Sequence, residues 1–140
     1  MDIEVVINPT ESDKNAVYQG LLEFNRPHFP EEDIVNLGCF AKESQGTIVA
    51  GLTAELFTTS LFINYLWVSP ESRGSSLGRK LIEKIEAEAK ERGVEDICLD
   101  TYSFQALGFY LKLGFESVGE FKDFPTKGVN KHFLQKRLMN

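Results

Sequence analysis

Cysteine is scarce in this sequence, which has only two, Cys39 and Cys98. Both lie inside apolar, strand-like runs, which favours reduced thiols in a cytoplasmic protein over a disulfide framework. Long apolar runs are missing as well, because none approaches the ~20 residues that a bilayer span requires. The first ten residues are acidic and lack the basic and apolar regions of a signal peptide. We therefore expect a cytoplasmic protein without a membrane partner.

An excess of positive charge is also absent. The net charge of -6 argues against a nucleic-acid partner. Residues 120–140 nevertheless carry five Lys/Arg against two Asp/Glu, a local balance of +3, which leaves -9 for the rest of the chain. A solvated surface explains this asymmetry most simply. An acidic rim that attracts cationic substrates, or a basic tail that pairs with another subunit, would explain it too.

The 140 residues suit one ordinary domain, residues 1–140, without internal repeats or long linkers. Strand-like runs occupy residues 3–7, 37–42, 47–57, 61–68, 94–99, 115–121 and 130–138, and the second to fourth of these form an antiparallel meander. A first helical pattern follows a cap at Thr10 or Ser12. Two further helical patterns cover residues 76–92 and 104–113, and residues 31–36 read as a helical turn or loop. This order predicts an α/β (α+β) domain with a mixed, mostly antiparallel sheet of about seven strands and helices on both faces.

The most informative stretch runs from Leu66 to Leu81, where a strand leads through small residues into a helix. The free N–H groups at a helix start favour anions. Arg73, Arg79 and Lys80 crowd that start, where cations oppose the helix dipole unless an anion such as phosphate binds. An ordinary strand–helix turn with exposed basic side chains accounts for the spacing equally well. The stretch lacks the Gly-Lys-Ser/Thr of a Walker A loop and the three glycines of a dinucleotide fingerprint.

The turn itself resembles a motif of the Gcn5-related N-acetyltransferase (GNAT) superfamily. That motif is Gln/Arg-x-x-Gly-x-Gly/Ala, in which backbone amides hold the pyrophosphate of acetyl-CoA. The segment Arg73-Gly74-Ser75-Ser76-Leu77-Gly78 matches it at Arg73 and Gly78, while Ser76 stands where the family has its middle glycine. The Ser76 hydroxyl could itself donate to a phosphate.

A second block, Ala106 to Phe115, is similar to the family's Asn-x-x-Ala-x-x-(aromatic)-Tyr-x-Lys-x-Gly-Phe segment. Tyr110 falls on the tyrosine that, in many members, protonates the departing thiolate. A phenol with a pKa of about 10 suits this role because it stays protonated at pH 7. Ser103 occupies the position of the family's Asn, so Ser103 or Gln105 would make the side-chain contact to the pantetheine arm. Without the resemblance, the simplest interpretation of Tyr110 is a helix tyrosine that packs on the core.

The resemblance implies an acetyl-CoA-dependent N-acetyltransferase that moves an acetyl group directly to a primary amine of a small molecule or peptide, with no metal. It implies that backbone N–H groups of Leu66 and Val68 polarise the thioester carbonyl. The pyrophosphate would be lined by Arg73, Gly74, Ser75, Ser76, Leu77, Gly78 and Arg79. The alternative is a non-catalytic, CoA-binding regulatory module with the same fold, which would have no need of a phenol at the sulfur.

A general base and an oligomeric state are the remaining expectations. Glu55 lies near the end of one strand and Asp100 ends another. Either could accept the amine proton directly or through water, although most such carboxylates are simply solvated. His28 and His132 lie too far apart to predict a metal site. Phenylalanines concentrate in the C-terminal strands, whose edge must be capped or paired. We expect a homodimer, the other possibility being a monomer whose basic edge prevents association.

Overall fold

The computed structural model describes residues 1–29 and 34–138, which fall into two compact units, Met1–Glu32 and Asp33–Asn140. The first unit contains one helix, α1 (Glu11–Asn25), followed by a short 3-10 turn at Arg26–His28. Its start is capped as the sequence predicts, because the Thr10 hydroxyl accepts a hydrogen bond from the Asp13 N–H at 3.1 Å. The acidic side chains of Glu11 and Asp13 occupy the first turn, where they favour the helix dipole.

The first predicted strand, at residues 3–7, is not formed. The run has no strand geometry, and Ile3, Val5 and Ile7 are exposed. A β-branched composition supplies propensity, but a strand also needs a paired neighbour, which composition cannot supply. Within the described part of the chain, the sheet consequently has six strands where about seven were predicted. In the segment predicted as a turn or loop at 31–36, residues 31–33 lie outside the described residues, and Val35 already begins a strand.

The second unit is an open mixed sheet with two helices. Its strands are β1 (Val35–Lys42), β2 (Ile48–Phe57), β3 (Ser60–Val68), β4 (Asp96–Tyr102), β5 (Glu116–Phe121) and β6 (Lys131–Arg137), and its helices are α2 (Leu77–Glu91) and α3 (Leu107–Lys112). The sheet order is β1-β2-β3-β4-β6-β5. Among the strands of the described residues, only β3 and β4 pair in parallel, and β1 to β3 form the predicted antiparallel meander.

One hydrophobic core fills the space between this sheet and α2. Helix α2 contributes Leu81, Ile82, Ile85 and Ala89, whose spacing places them on one face of the helix. The strands contribute alternate residues, because successive side chains point to opposite faces of a sheet. Those buried strand residues include Leu52, Ala54, Leu61, Ile63, Ile97, Leu99 and Leu134. Gly93 ends α2 in a left-handed conformation with φ +76, as the sequence predicts.

The parallel pair β3–β4 is short and then separates. The two strands are paired only where residues 60–63 lie opposite residues 96–99. Immediately afterwards β3 carries an extra residue, Asn64, because Ile63 and Tyr65 oppose the consecutive residues Ala54 and Thr53 of β2. Such a β-bulge bends and twists its strand. Beyond Asn64, β3 stays paired with β2 while β4 stays paired with β6, so the two strands diverge.

Candidate active site

A cleft of about 1530 Å³ opens where β3 and β4 diverge. The end of β3 forms one wall and the end of β4 the other, and the cleft extends to the starts of α2 and α3. Its charged lining residues are Arg73, Arg79, Asp100, Lys112 and Lys131. The sequence-predicted site residues Leu66, Val68, Arg73, Gly74, Ser76, Leu77, Gly78, Arg79, Asp100 and Tyr110 all line this cleft. The fold therefore brings together residues that are far apart in the sequence.

The wall formed by β3 presents unpaired backbone donors. Ser69 N–H donates to the Val49 carbonyl at 2.8 Å, so the amide of Ser69 faces β2. Because backbone groups alternate in direction along a strand, the N–H groups of Leu66 and Val68 face away from β2, towards the cleft. No strand among the described residues pairs with β3 there, since β4 has already separated at Ile63. These two donors are therefore free to bind a carbonyl oxygen.

The start of α2 forms the anion-binding end of the cleft. Ser76 is the N-cap residue with φ +66, and its side chain makes no capping hydrogen bond. No acidic residue occupies the first turn of the helix. Gly74 also has a positive φ, +83, and the Arg73 Nε donates to the Val68 carbonyl at 3.1 Å, which ties the turn to the end of β3. The turn thus leaves the first N–H groups of α2 open to an anion.

Gly78 lies where a side chain would be crowded by the ring of Phe109. A Cβ atom at this position would lie 3.3 Å from the ring of Phe109 and 3.9 Å from the side chain of Val68. The bare backbone of α2 therefore borders the cleft directly. A side chain at this position would have to displace Phe109 and would stand between the helix backbone and the cleft.

Tyr110 lies on α3 and is buried, with 7% of its surface exposed. Its ring makes edge contacts with Phe109 at 5.2 Å and Phe115 at 5.7 Å between ring centroids. Burial raises the pKa of Tyr110 to about 12. The phenol therefore keeps its proton throughout the neutral range while still bordering the cleft. Gly114, with φ +97, ends this helical segment as the sequence predicts.

Three of the predicted site residues are not among those that line the cleft. Glu55 is exposed on β2 and pairs with Phe62, so it lies one strand away. The Ser75 hydroxyl donates to the Ser72 carbonyl within the turn. Ser103 is occupied elsewhere, because its hydroxyl accepts the Asn130 N–H at 3.0 Å. Gln105, the other candidate for the pantetheine contact, does border the cleft.

Gln105 fixes the end of the β4 wall. Its side-chain oxygen accepts hydrogen bonds from the Tyr102 N–H at 2.8 Å and the Thr101 hydroxyl at 3.1 Å. These bonds satisfy the oxygen but leave the amide group's N–H donors to face a ligand. The geometry therefore favours Gln105 over Ser103 for a contact with a bound molecule.

Sequence reasoning missed Lys131, which lies in the cleft beside Asp100. The Lys131 Nζ is 4.0 Å from Asp100 Oδ1. It also lies 5.5–5.9 Å from the ring centroids of Tyr102, Phe124 and Phe133. The register of β6 against β4 creates this cluster by pairing Lys131 with Tyr102 and Phe133 with Asp100. Lys131 and Phe133 stand two residues apart in the sequence and so share one face of the strand, but the register of that strand against β4 could not be read from the sequence.

Within residues 1–29 and 34–138, no group of three or more His, Cys, Asp or Glu side chains is placed to hold a metal ion. His132 instead faces Glu120, with 3.6 Å between Nδ1 and Oε2. In the same part of the chain, no helix has the length and apolar character needed to cross a membrane.

Comparison with known proteins identifies the class. The chain is 34% identical over 100 residues to blasticidin-S acetyltransferase of Streptomyces morookaense, covering 71% of this chain and 73% of that protein. It is 28% identical over 124 residues to an acetyltransferase of Agrobacterium fabrum, covering 89% and 90%. An acetyltransferase structure from Bacillus cereus superposes with a TM-score of 0.87 at 31% identity, covering 96% of this chain and 98% of that one. The fold and these relatives define an acyltransferase of the N-acetyltransferase type.

The family follows from a direct match. The model of the acetyltransferase (GNAT) family matches residues 10–115, a range that contains the α2 turn and Tyr110. The chain belongs to the GNAT family of acetyltransferases. This confirms the resemblance found in the sequence, together with the α/β fold class that it implied.

The left-handed conformation of Ser76 generates a stability prediction. An L-residue at such a φ is strained by about 1–2 kcal/mol, whereas glycine is not. Glycine also gives the unfolded chain more freedom, which offsets about 0.4–1 kcal/mol of the gain. We expect Ser76→Gly to raise the free energy of unfolding by about 0.5–1 kcal/mol in a denaturant titration. Gly74→Ala is the matched contrast and should lower it, and a destabilised Ser76→Gly would contradict the assigned conformation.

Proposed function

We propose that this acetyltransferase uses acetyl-CoA and transfers the acetyl group directly to a primary amine. The observation that carries the proposal is that one cleft holds an open helix start, two free strand donors and a buried, protonated phenol. The helix start with Arg73 and Arg79 would bind the pyrophosphate, since both charge and free N–H groups favour an anion there. The left-handed Ser76 and the side-chain-free Gly78 suit close approach of such a group to the backbone.

The strand donors would act on the thioester. The N–H groups of Leu66 and Val68 would donate hydrogen bonds to its carbonyl oxygen, where negative charge develops as the amine attacks. Donors that are fixed before the reaction stabilise this charge without reorganisation. Acetyl-CoA supplies the activated acyl group, and the chain positions it beside the amine.

Two proton transfers complete the reaction. Tyr110 would give its proton to the departing thiolate, and its pKa of about 12 keeps it protonated throughout the neutral range. Asp100 would accept the amine proton directly or through water, because it is the carboxylate among the cleft-lining residues of the described chain. Glu55 is the weaker candidate for this role, given its position one strand away from the cleft.

The acceptor is a small molecule or a peptide with a free amine. One relative is named for its action on blasticidin S, which suggests that small amines are acceptable to this type of cleft. The competing function, a regulatory module that binds CoA without turnover, is disfavoured by the buried phenol at the cleft, which binding alone does not require.

We also propose a cytoplasmic location, because both Cys39 and Cys98 are free thiols and only half-buried. Free thiols persist in reducing compartments. Burial raises the pKa of both thiols, which keeps them protonated and unreactive. Detection of the protein in a secreted fraction of its cells would contradict this assignment.

Tyr110→Phe tests the catalytic proposal. The substitution keeps the ring and its packing but removes the proton donor, so kcat for acetyl transfer should fall by about 10²–10⁴-fold. Because the phenol would lose its proton only near pH 12, the wild-type rate should show no decline attributable to Tyr110 between pH 7 and 10. Thiol release measured with acetyl-CoA and an amine panel provides the readout.

Acetyl-CoA binding distinguishes a lost proton donor in Tyr110→Phe from a damaged acetyl-CoA site. Acetyl-CoA should raise the melting temperature of Tyr110→Phe as much as that of the wild type, whereas Gly78→Leu should lose the shift because its side chain meets Phe109. Tyr18→Phe, on α1, is the matched control with unchanged rate. Turnover of Tyr110→Phe within a few-fold of wild type would exclude the phenol as the acid and strengthen the regulatory-module alternative.

The edge strand β5 supports the proposal of a homodimer. It ends the sheet, all six of its residues are exposed, and Val118 and Phe121 present 60% and 52% of their surfaces to solvent. An open edge with apolar side chains invites pairing with a second copy. We expect light scattering at micromolar concentration to give about twice 15.8 kDa, and Val118→Lys to halve that mass. A wild-type mass of 15.8 kDa would contradict the dimer.

A further inference from the structure

Lys131 is held in an unusual setting for a cleft-lining lysine. Its ammonium lies 5.5 Å from the centroid of Phe124, 5.8 Å from that of Phe133 and 5.9 Å from that of Tyr102. Asp100 Oδ1 is 4.0 Å away, and the two side chains are 23% and 33% exposed. Cation–π attraction and the nearby carboxylate together hold the side chain of Lys131 in this position. The lysine is thus neither solvated freely nor buried.

The surrounding rings are themselves fixed by other rings. Phe133 packs edge-on against Phe121 at 4.9 Å, and Phe121 packs against Phe124 at 5.4 Å. Tyr102 stacks on Phe104 at 5.7 Å with an interplanar angle of 8°. An ammonium held by such a cluster loses little further freedom when a ligand binds to it. Lys131 therefore presents a preorganised positive charge.

The Asp100–Lys131 pair lies on the face of the cleft opposite α2. Ile63 and Leu99 point into the core beneath α2, so their neighbours Phe62 and Asp100 point to the other face. The groups proposed to bind the pyrophosphate lie at the start of α2 instead. Asp100 and Lys131 are consequently left to interact with the second substrate, the amine.

The spacing of the pair leaves both groups able to bind a ligand. A separation of 4.0 Å exceeds a hydrogen-bond distance, so the ammonium donors and the carboxylate lone pairs are not consumed by each other. A molecule with a positive and a negative group side by side would place its amine at Asp100 and its anion at Lys131. The two charges of the ligand and the two of Asp100 and Lys131 would then alternate in sign, so that each lies beside an opposite charge.

We infer that Asp100 and Lys131 select acceptors that carry a carboxylate next to the amine, as free α-amino acids do. This inference rests on the proposed acetyl transfer and specifies its acceptor. A polyamine would bring a second positive charge against Lys131, and a simple amine would leave that charge without a partner. Charge-assisted hydrogen bonds of this kind change specificity by about 10- to 100-fold.

Two exposed aromatic side chains indicate the rest of the acceptor. Leu66 and Val68 pack towards the core, so Tyr65 and Trp67 point to the same face as Asp100. Both line the cleft, with 77% and 50% of their surfaces exposed. Flat apolar surfaces beside a charged pair favour an amino acid with an aromatic or other large apolar side chain.

Matched acceptors test the inference with the full chain and acetyl-CoA. L-phenylalanine, its amide and phenethylamine share the aromatic group and a primary amine but differ in the carboxylate. We expect kcat/KM for phenylalanine to exceed that for the other two by at least tenfold. Lys131→Met should abolish this preference mainly by lowering kcat/KM for phenylalanine, and Lys131→Arg should restore much of it.

Lys127→Met is the matched control, because it removes a lysine from the same β5–β6 hairpin at an exposed position away from the cleft. It should leave the preference intact. Melting temperatures with and without acetyl-CoA verify that Lys131→Met folds and binds the cosubstrate. If the variant fails to fold, the wild-type preference among the three acceptors still decides the inference.

Two outcomes would overturn the inference, and they differ in what they leave standing. Equal or faster acetylation of phenethylamine and the amide would refute carboxylate selection while supporting acetyl transfer to amines. Absence of turnover with all three acceptors would refute the amino-acid class, and thiol release with polyamines, aminoglycosides and peptides would then show whether the proposed transferase activity survives.

Discussion

The site depends on the separation of β3 from β4. Parallel strands normally remain paired along their length, and a sheet that did so here would have no cleft. The extra residue Asn64 bends β3 after four paired positions, while β4 remains with β6. One irregularity thus exposes the backbone donors of Leu66 and Val68, opens the space beside Tyr110 and leaves Asp100 at the opposing wall. The buried residues of α2 belong to the hydrophobic core that covers the other face of the sheet.

The turn before α2 shows a second constraint of the same kind. Its backbone adopts positive φ at Gly74 and Ser76, and the first residues of the helix line the cleft. The start of α2 has no acidic residue and no side-chain cap, so no side chain neutralises the positive end of the helix or caps its first N–H groups. A helix with a good cap would be more stable and less able to bind an anion. Local stability is reduced where the chemistry needs open donors.

Much of this arrangement could be predicted from the sequence, and the failures have physical causes. The motif around Arg73 to Gly78 and the segment ending in Gly114-Phe115 located the helix start and Tyr110, because short-range spacing determines both. Ser103 was predicted to contact the pantetheine arm, whereas its hydroxyl accepts the Asn130 N–H, a bond between segments far apart in the chain that the sequence does not reveal. Lys131 was missed for a similar reason, since only the β4–β6 register brings it to Asp100. The prediction of a strand at residues 3–7 was wrong because β-propensity does not provide a neighbouring strand to pair with.

Hydrogen exchange at individual amides of β3 tests the central claim most directly. Without ligand, the amides of Leu66 and Val68 should exchange faster than that of Trp67, which faces β2. Addition of acetyl-CoA should slow exchange at Leu66 and Val68 and leave Trp67 nearly unchanged. If Leu66 and Val68 are already as protected as Trp67, or if saturating acetyl-CoA leaves their exchange unaltered, the diverging strands do not form the acetyl-binding site.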